Sequence, residues 1–209
     1  LHLSIRRQRQ MCIRDSVGTY RIEPFLLSQG VRKLEYVFVT HGDADHINGI
    51  QELLQNQKQG VEIDALVLPP EEYMDEKLLH LAEIAKENGT RVLTIYAGEK
   101  VGTYLKCIAP LTTRKNERTR GRMEEVPRLE AGNEASVVLE LKDGAFQMLL
   151  TGDLEGRGEE QLVESGTLES CPILKAGHHG SKNSGSEEFL QIVKPRLTLI
   201  SAGIENRYG

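Results

Sequence analysis

The sequence predicts an α/β domain, and three observations support this fold class. Apolar runs typical of buried strands precede segments with helical periodicity, as where "KLEYVFVT" is followed by "DHINGIQELL". Asp143 followed by Gly144 separates two β-rich runs, which is a strong signal for a hairpin. A chain of 209 residues with 39% apolar content can bury one substantial core, so we expect one domain, with two small ones as the alternative.

The first half of the chain predicts three helices and four strands. "YRIEPFLLSQG" is typical of a short helix that has Pro24 near its start and stops at Gly30, and "KLEYVFVT" is typical of a buried strand. A helix is expected from Asp45 onward, because apolar residues then recur at helical spacing. "IDALVLPP" predicts a second strand, and "DEKLLHLAEIAKENG" predicts an amphipathic helix that ends at Gly89 and exposes His80. "TRVLTIYAG" and "YLKCIAPL" predict two further strands.

The second half begins with a predicted flexible loop over residues 112–133, which are polar, charged and short of apolar anchors. After the hairpin, "EGRGEEQLVESG" predicts a helix and "CPILKAGHHG" a strand that runs into two histidines. "SGSEEFLQIVKP" predicts a helix that Pro195 ends, with Ser184 and Glu187 at capping-box spacing. "RLTLISAG" predicts the last strand.

Both ends of the chain differ from the rest. Residues 1–16 have no start methionine and no clean periodicity, so we interpret them as translated sequencing-adapter read-through and exclude them from the fold, with a basic arm as the alternative. The chain stops at "NRYG" directly after an apolar strand. We therefore expect residues 17–209 to form an incomplete domain.

Composition excludes several classes of protein. The formal net charge of −5 argues against a broad basic face for nucleic acid. No run of eighteen apolar residues occurs, so this sequence has no membrane span, although it could be a piece of a membrane protein. Its three cysteines are widely spaced without a CxxC pair, which indicates neither a disulfide framework nor a thiolate metal site and leaves the redox compartment undecided.

Four polar side chains follow the first predicted strand within "HGDADH": His41, Asp43, Asp45 and His46. A turn and a helix cap together need fewer polar residues than this. Alternation at the strand end predicts that His41, Asp43 and Asp45 point to the same side. Imidazole nitrogens and carboxylate oxygens that converge suit a divalent transition metal, so we expect a metal site, with a plain turn and cap as the alternative.

Similar residues follow two later strands. Asp153 comes directly after "LLTG", and His178 and His179 come directly after "LKAG". Taken singly, a Gly-Asp pair usually marks a turn and a His pair is often a surface feature. Strands of one sheet bring their carboxyl ends to a shared edge, where α/β proteins assemble their sites. The three strand ends together therefore predict one metal site.

The segments "THGDADH", "NEASVVLEL", "LLTGD", "LKAGHHGSKNS" and "SAGIENRYG" resemble, in that order, the metallo-β-lactamase-fold domain at the C-terminus of the ComEC family of DNA-internalisation competence proteins. The resemblance extends over about residues 17–209 and implies an αβ/βα four-layer sandwich. This branch carries HxDxDH, where most of the superfamily carries HxHxDH. The family's first strands, and a histidine and proline beyond "NRYG", have no counterpart here, so the resemblance implies a domain truncated at both ends.

The resemblance also implies a ligand set of three imidazoles and three carboxylates: His41, Asp43, Asp45, His46, Asp153 and His178, with His179 as the alternative to His178. In this assignment the first two residues bind one metal, the next two bind a second metal together with His178, and Asp153 bridges the ions. The catalytic residues would be Asp45, Asp153 and His178. Since Asp43 replaces a histidine, the preference moves from Zn²⁺ toward Mn²⁺.

The implied activity is phosphodiester hydrolysis in which two metal ions activate hydroxide for in-line attack. The family implies DNA as substrate during competence, and a membrane-embedded parent protein at the bacterial cell envelope, on the outer face of the cytoplasmic membrane. Two alternatives stay open. One is a hydrolase of small or wall-polymer phosphodiesters with the same site, and the other is a non-catalytic domain that guides DNA through a transporter.

Several further residues could contact the substrate or support the site. Hydroxyl, amide and ammonium donors follow the histidines and could hold phosphate: Ser181, Lys182, Asn183 and Ser184. For Ser184, helix capping is an equal alternative, and for Asn133 and Ser136 of "NEAS" a turn is favoured over support of the site. A dense cationic run could grip a nucleic-acid backbone, although a solvated loop is the default interpretation: Arg114, Lys115, Arg118, Arg120 and Arg122.

Overall fold

The computed structural model describes residues 16–112 and 126–202. It confirms the α/β class and divides into two compact units. The first unit holds the described residues up to Leu68 together with Met74–Leu93, and the second holds Pro69–Tyr73 and the described residues from Thr94 onward. Within these ranges, no helix has the length and apolar character needed to cross a membrane.

The first unit begins with a π-helical turn, Gly18–Ile22, that continues into helix α1, Glu23–Ser28. The prediction of a single strand over "KLEYVFVT" is wrong, because this segment forms two short strands, β1 (Lys33–Leu34) and β2 (Val37–Phe38). These pair in parallel with β3 (Glu62–Ile63) and β4 (Ala65–Leu68). The register is the same on both sides of the interruption, where the Asp64 N–H still donates to the Leu34 carbonyl.

Helix α2 (Ala44–Asn56), helix α3 (Glu76–Glu87) and strand β5 (Arg91–Thr94) complete this unit, and its three-stranded sheet has the order β2-β4-β5. All four residues of β4 are buried, which accounts for its uninterrupted apolar sequence. The predicted apolar face of α3 is confirmed, and it packs into a core that includes Leu53, Leu54 and Leu66. His80 is exposed, as expected.

The second unit contains a six-stranded sheet in the order β11-β10-β9-β8-β7-β6. In chain order its strands are β6 (Lys100–Val101), β7 (Leu105–Ala109), β8 (Val138–Asp143), β9 (Phe146–Leu150), β10 (Ile173–Lys175) and β11 (Leu197–Leu199). Strands β6 to β9 form an antiparallel meander, and β9, β10 and β11 are parallel. The predicted hairpin is confirmed, with Gly144 at φ 56° in its turn. The two-residue strand β6 was not predicted, because it is too short to show a period of two.

Helices α4 (Gly156–Glu164) and α5 (Glu187–Val193) belong to the second unit, whose largest core cluster includes Leu149, Leu162 and Phe189. The prediction that Ser184 caps α5 is wrong. The helix begins later, and the Ser186 hydroxyl accepts a hydrogen bond from the Phe189 N–H at 3.2 Å.

Residues 113–125 of the predicted flexible loop lie outside the described part of the chain. Residues 126–133 are described, and Leu129 there is buried against Tyr73 and Ala135. Arg128 donates a hydrogen bond to the Glu72 carbonyl at 2.8 Å. This end of the predicted loop is therefore anchored to the second unit.

Candidate metal centre

The motif "HGDADH" spans the turn after β2 and the first residues of α2 in the first unit. Strand β2 ends at Phe38, so the expectation that strand alternation aligns His41, Asp43 and Asp45 is wrong. His41 lies in the connecting turn, Asp43 occupies the N-cap position of α2, and Asp45 lies in the first helical turn. The convergence of these donors therefore comes from a turn followed by a helix.

Within the motif, the donor side chains form two pairs. Nε2 of His41 lies 3.6 Å from Oδ2 of Asp43, and Nε2 of His46 lies 3.7 Å from Oδ2 of Asp45. The two imidazole rings are 4.2 Å apart between centroids. Both carboxylates are more than half exposed, whereas His41 is buried. The motif thus presents two imidazole–carboxylate pairs, a donor set that suits divalent metals.

Thr40 orients both rings, and the sequence reasoning missed it. Its Oγ1 lies 3.0 Å from Nδ1 of His41 and 3.3 Å from Nδ1 of His46. Because Nδ1 of each ring faces this hydroxyl, Nε2 is the atom directed to the carboxylates. The only signal in the sequence was that Thr40 directly precedes the motif.

Position 42 needs a glycine because the N-terminal cap of α3 lies close to its backbone. The Asp75 side chain caps that helix by accepting a hydrogen bond from the Leu78 N–H at 2.8 Å. A Cβ atom at Gly42 would lie 2.2 Å from Oδ2 of Asp75. The cap of one helix therefore packs directly against the backbone of the metal motif.

In the second unit, Asp153 lies in the turn after β9, and its side chain is almost completely buried. Its N–H donates to Oγ of Ser136 at 3.2 Å. Oδ2 lies 3.8 Å from Nε2 of His179, and Oδ1 lies 3.5 Å from the ammonium of Lys175. Lys175, which also donates to the Gly152 carbonyl, was not predicted, because a lysine at a strand end is ordinary in sequence.

The two histidines after β10 diverge. His179 lies beside Asp153, whereas Nδ1 of His178 lies 2.7 Å from Oε2 of Glu155. Both residues have left-handed backbones, with φ 40° and 55°, so the chain turns sharply between them and the rings lie 6.1 Å apart. Nδ1 of His179 lies 2.7 Å from the Ser201 carbonyl oxygen, which directs Nε2 toward Asp153.

Glu155, which was not predicted, forms a polar network with His178 and Asn133. Asn133 donates to Oε1 of Glu155 at 3.0 Å and lies 3.4 Å from Nδ1 of His178. Burial alone would raise the pKa of the Glu155 carboxyl, but the hydrogen bonds from Asn133 and His178 outweigh it, and the pKa is lowered. Asn133 and Ser136 therefore both contact residues at this strand edge, beyond any role in the turn.

The proposed phosphate donors differ in their surroundings. The Ser184 hydroxyl donates to the carbonyls of Gly177 and Ser181, and the Ser181 hydroxyl accepts from the Asn183 N–H. Lys182 and the Asn183 side chain are exposed. The cationic run of Arg114, Lys115, Arg118, Arg120 and Arg122 lies outside the described residues.

The expectation that all ligands follow strands of one sheet is wrong. Strands β9 and β10 are parallel neighbours, with Leu150 opposite Lys175, so Asp153 and His179 do share a sheet edge. The motif "HGDADH", however, follows β2, which belongs to the three-stranded sheet. The candidate ligands therefore come from two sheets, which the order of strand ends along the chain could not distinguish.

Comparison with known proteins identifies the family. The model of the Metallo-beta-lactamase superfamily matches residues 7–203. ComE operon protein 3 of Bacillus subtilis (strain 168) is 33% identical over 196 residues, which cover 92% of this chain and 23% of that protein. Competence protein ComA of Neisseria gonorrhoeae is 32% identical over 189 residues, covering 90% of this chain and 23% of that protein.

Two further similarities concern a recombination protein and a solved structure. Recombination protein 2 of Haemophilus influenzae is 29% identical over 188 residues, covering 90% of this chain and 20% of that protein. A solved diphosphatase of the PhnP family has a TM-score of 0.41 and 18% identity, covering 87% of this chain and 65% of that one. The chain spans roughly a fifth to a quarter of the length of these curated relatives. Since the family match includes nearly the whole chain, the protein belongs to the metallo-beta-lactamase superfamily, and its homologues include competence proteins of the ComEC family.

Proposed function

We propose that this chain is a metal-dependent phosphodiesterase domain that hydrolyses DNA as part of a bacterial competence protein. The observation that carries the proposal is the pairing of imidazole with carboxylate within "HGDADH", together with the buried Asp153 beside His179. Superfamily membership supports hydrolysis, and the names of the relatives support a role in competence. The same relatives support a location at the cell envelope.

The residues present fit two divalent ions, Mn²⁺ or Zn²⁺. In this proposal His41 and Asp43 would hold one ion and Asp45 and His46 the other. Asp153 would be a further ligand, as the resemblance to the ComEC family implies. His179 replaces His178 as the remaining imidazole ligand, because it is the ring whose Nε2 lies beside Asp153. Three carboxylates offset most of the charge of two dications, and the oxygen donor of Asp43 in place of an imidazole favours Mn²⁺.

The bound ions would supply Lewis-acid polarisation of the phosphoryl group and a lowered pKa for water. The protein itself would orient the imidazole rings that serve as ligands. Thr40 directs the two imidazoles of the motif, and the Ser201 carbonyl directs His179. Ser181, Lys182 and Asn183 remain proposed phosphate donors, whereas the Ser184 hydroxyl donates within its own loop and is not included in the proposal.

The test measures hydrolysis and metal binding together. With Mn²⁺ present, the chain should cleave single- or double-stranded DNA and turn over bis(p-nitrophenyl) phosphate. Asp153→Ala should lower turnover by 10²-fold or more, as an order-of-magnitude estimate for losing a shared metal ligand, and should reduce bound metal measured by mass spectrometry. Glu160→Gln, at an exposed position of α4, is the control and should retain both properties.

Three outcomes would contradict the proposal. Full turnover by Asp153→Ala would reject the metal assignment. Turnover of small phosphodiesters without any DNA cleavage would favour the small-substrate alternative. DNA binding without hydrolysis of either substrate would favour the non-catalytic domain.

A further inference from the structure

A buried carboxylate outside the proposed ligand set contacts the loop that carries the two histidines. Glu159 lies in α4 and is only 5% exposed. Its Oε2 accepts a hydrogen bond from the Gly185 N–H at 2.6 Å, and its Oε1 accepts one from the Ser186 N–H at 2.8 Å. A carboxylate loses hydration when it is buried, so two short charge-assisted bonds are the interaction that keeps it there.

The loop in question, residues 176–186, is here called the histidine loop. It is held in a tight conformation by its own hydrogen bonds, including those from Ser184 to Gly177 and Ser181. Two successive non-glycine residues in it, His178 and His179, have positive φ. Such a backbone persists only where the surrounding structure holds it in place.

A pocket borders the histidine loop, and its lining includes Thr151, Glu159, Gly177, Gly180 and Ser181. Beside this pocket, polar contacts contribute to holding the loop in place. The two hydrogen bonds to Glu159 tie its C-terminal end to α4.

The two hydrogen bonds accepted by Glu159 are not needed to cap α5. The cap of that helix is the Ser186 hydroxyl, which accepts from the Phe189 N–H. The two N–H groups bound by Glu159 belong instead to residues that precede the helix. Glu159 therefore acts on the loop and not on the first turn of α5.

We propose that Glu159 is a positioning residue for metal binding: it holds the histidine loop in the conformation that keeps Nε2 of His179 beside Asp153. This inference rests on the proposed function, because it assigns His179 to the metal site. It predicts that Glu159 influences metal affinity without contacting the metal.

The experiment titrates Co²⁺ into the full chain and records its d–d absorption, with calorimetric titration of Mn²⁺ as a second readout. Glu159→Gln keeps the side-chain size but replaces one acceptor by an amide NH₂ that faces a backbone N–H. Its affinity for Co²⁺ should fall about 10- to 100-fold, the range found when residues that orient metal ligands are replaced, and the d–d band should change shape. Glu159→Asp retains the charge with a shorter reach and should give a smaller decrease in affinity.

Two control variants separate positioning from general destabilisation. Ser186→Ala removes the cap of α5 but keeps the backbone N–H bound by Glu159, so it should lower the unfolding temperature while Co²⁺ affinity stays unchanged. Glu160→Gln, the exposed neighbour, should change neither quantity.

The outcomes distinguish the inference from the proposed function. Wild-type affinity in both Glu159 variants would overturn the inference alone. Equal decreases in affinity in Glu159→Asp and Ser186→Ala would also overturn it, since they would indicate a purely structural role even if Glu159→Gln did not fold. A wild-type chain that bound neither Co²⁺ nor Mn²⁺ would overturn the proposed function and this inference with it.

Discussion

At the scale of single residues, Asp43 is both a helix N-cap residue and a candidate metal ligand, two roles that the sequence analysis treated as alternatives. It occupies the N-cap position of α2, as the turn-and-cap interpretation requires. Its side chain makes no capping hydrogen bond among the described residues, and Oδ2 lies 3.6 Å from the His41 imidazole. The carboxylate therefore remains available for a metal while its backbone starts the helix.

Replacing Asp43 tests the expected metal preference. Asp43→His exchanges a hard oxygen donor for an imidazole, so the affinity for Mn²⁺ relative to Zn²⁺ should fall, by about tenfold as an order-of-magnitude expectation for a changed ligand environment. Competition titration of the two ions against a fluorescent chelator measures this ratio. Asp143→Asn, at the exposed end of β8 beside the hairpin turn, is the matched control. An unchanged ratio in Asp43→His would show that this carboxylate is not a ligand.

At the scale of elements, the connection between a strand and a helix places each candidate ligand. The motif "HGDADH" joins β2 to α2, and Asp153 lies between β9 and α4. His179 lies in the histidine loop between β10 and α5. These connections are held by contacts from other elements, such as Asp75 of the α3 cap against Gly42 and Glu159 of α4 against the histidine loop.

The contact between Gly42 and the α3 cap gives a prediction about packing. In Gly42→Ala the new Cβ would lie 2.2 Å from Oδ2 of Asp75, so the motif or the cap must shift. We expect the free energy of unfolding to fall by about 1–3 kcal/mol, as for other overpacked sites, measured by urea denaturation of the metal-free chain.

A double variant identifies the cause of that destabilisation. Asp75→Ala alone should cost about 1 kcal/mol, because the helix cap is removed. In Gly42→Ala/Asp75→Ala the clashing carboxylate is absent, so the combined destabilisation should be smaller than the sum of the two single effects. If the two single effects on the free energy of unfolding simply added, the contact with Asp75 would not be the reason why residue 42 must be glycine.

At the scale of the whole molecule, charge constrains how DNA could bind. The formal net charge of −5 opposes a polyanion, so binding would depend on bound metal and on local cations. The cationic run of Arg114, Lys115, Arg118, Arg120 and Arg122 is the proposed local source. Its position in the fold lies outside the described residues.

Replacing the five cationic residues of this run by glutamine tests whether they bind DNA. If these residues contact DNA phosphates, the slope of log K against log salt should become shallower by about 0.7–0.9 for each phosphate that is no longer neutralised. Turnover of bis(p-nitrophenyl) phosphate should stay at the wild-type level, because a small ester does not reach along a nucleic-acid backbone. Fluorescence anisotropy at several salt concentrations measures the slope, and an unchanged slope would reject the proposed role of these cations.

Most elements and the chemical type of the site could be predicted from the sequence. The amphipathic face of α3 and the turn at Gly144 follow from local periodicity and backbone preference, which act over a few residues. The split of "KLEYVFVT" into two strands and the start of α5 at Glu187, directly after its Ser186 cap, were missed, because local periodicity does not fix where an element begins or is interrupted.

The sequence by itself determined the superfamily and the donor types, because "HGDADH" concentrates more imidazole and carboxylate than a turn or a cap requires. Only the tertiary structure separated His179 from His178, since their divergence follows from two positive φ angles and from the contacts with Ser201 and Glu155. It alone also placed Thr40 and Lys175 beside those donors, and Glu159 against the backbone of the histidine loop. The physical reason is that donor chemistry belongs to each side chain, whereas donor direction depends on hydrogen bonds between segments that are far apart in the chain.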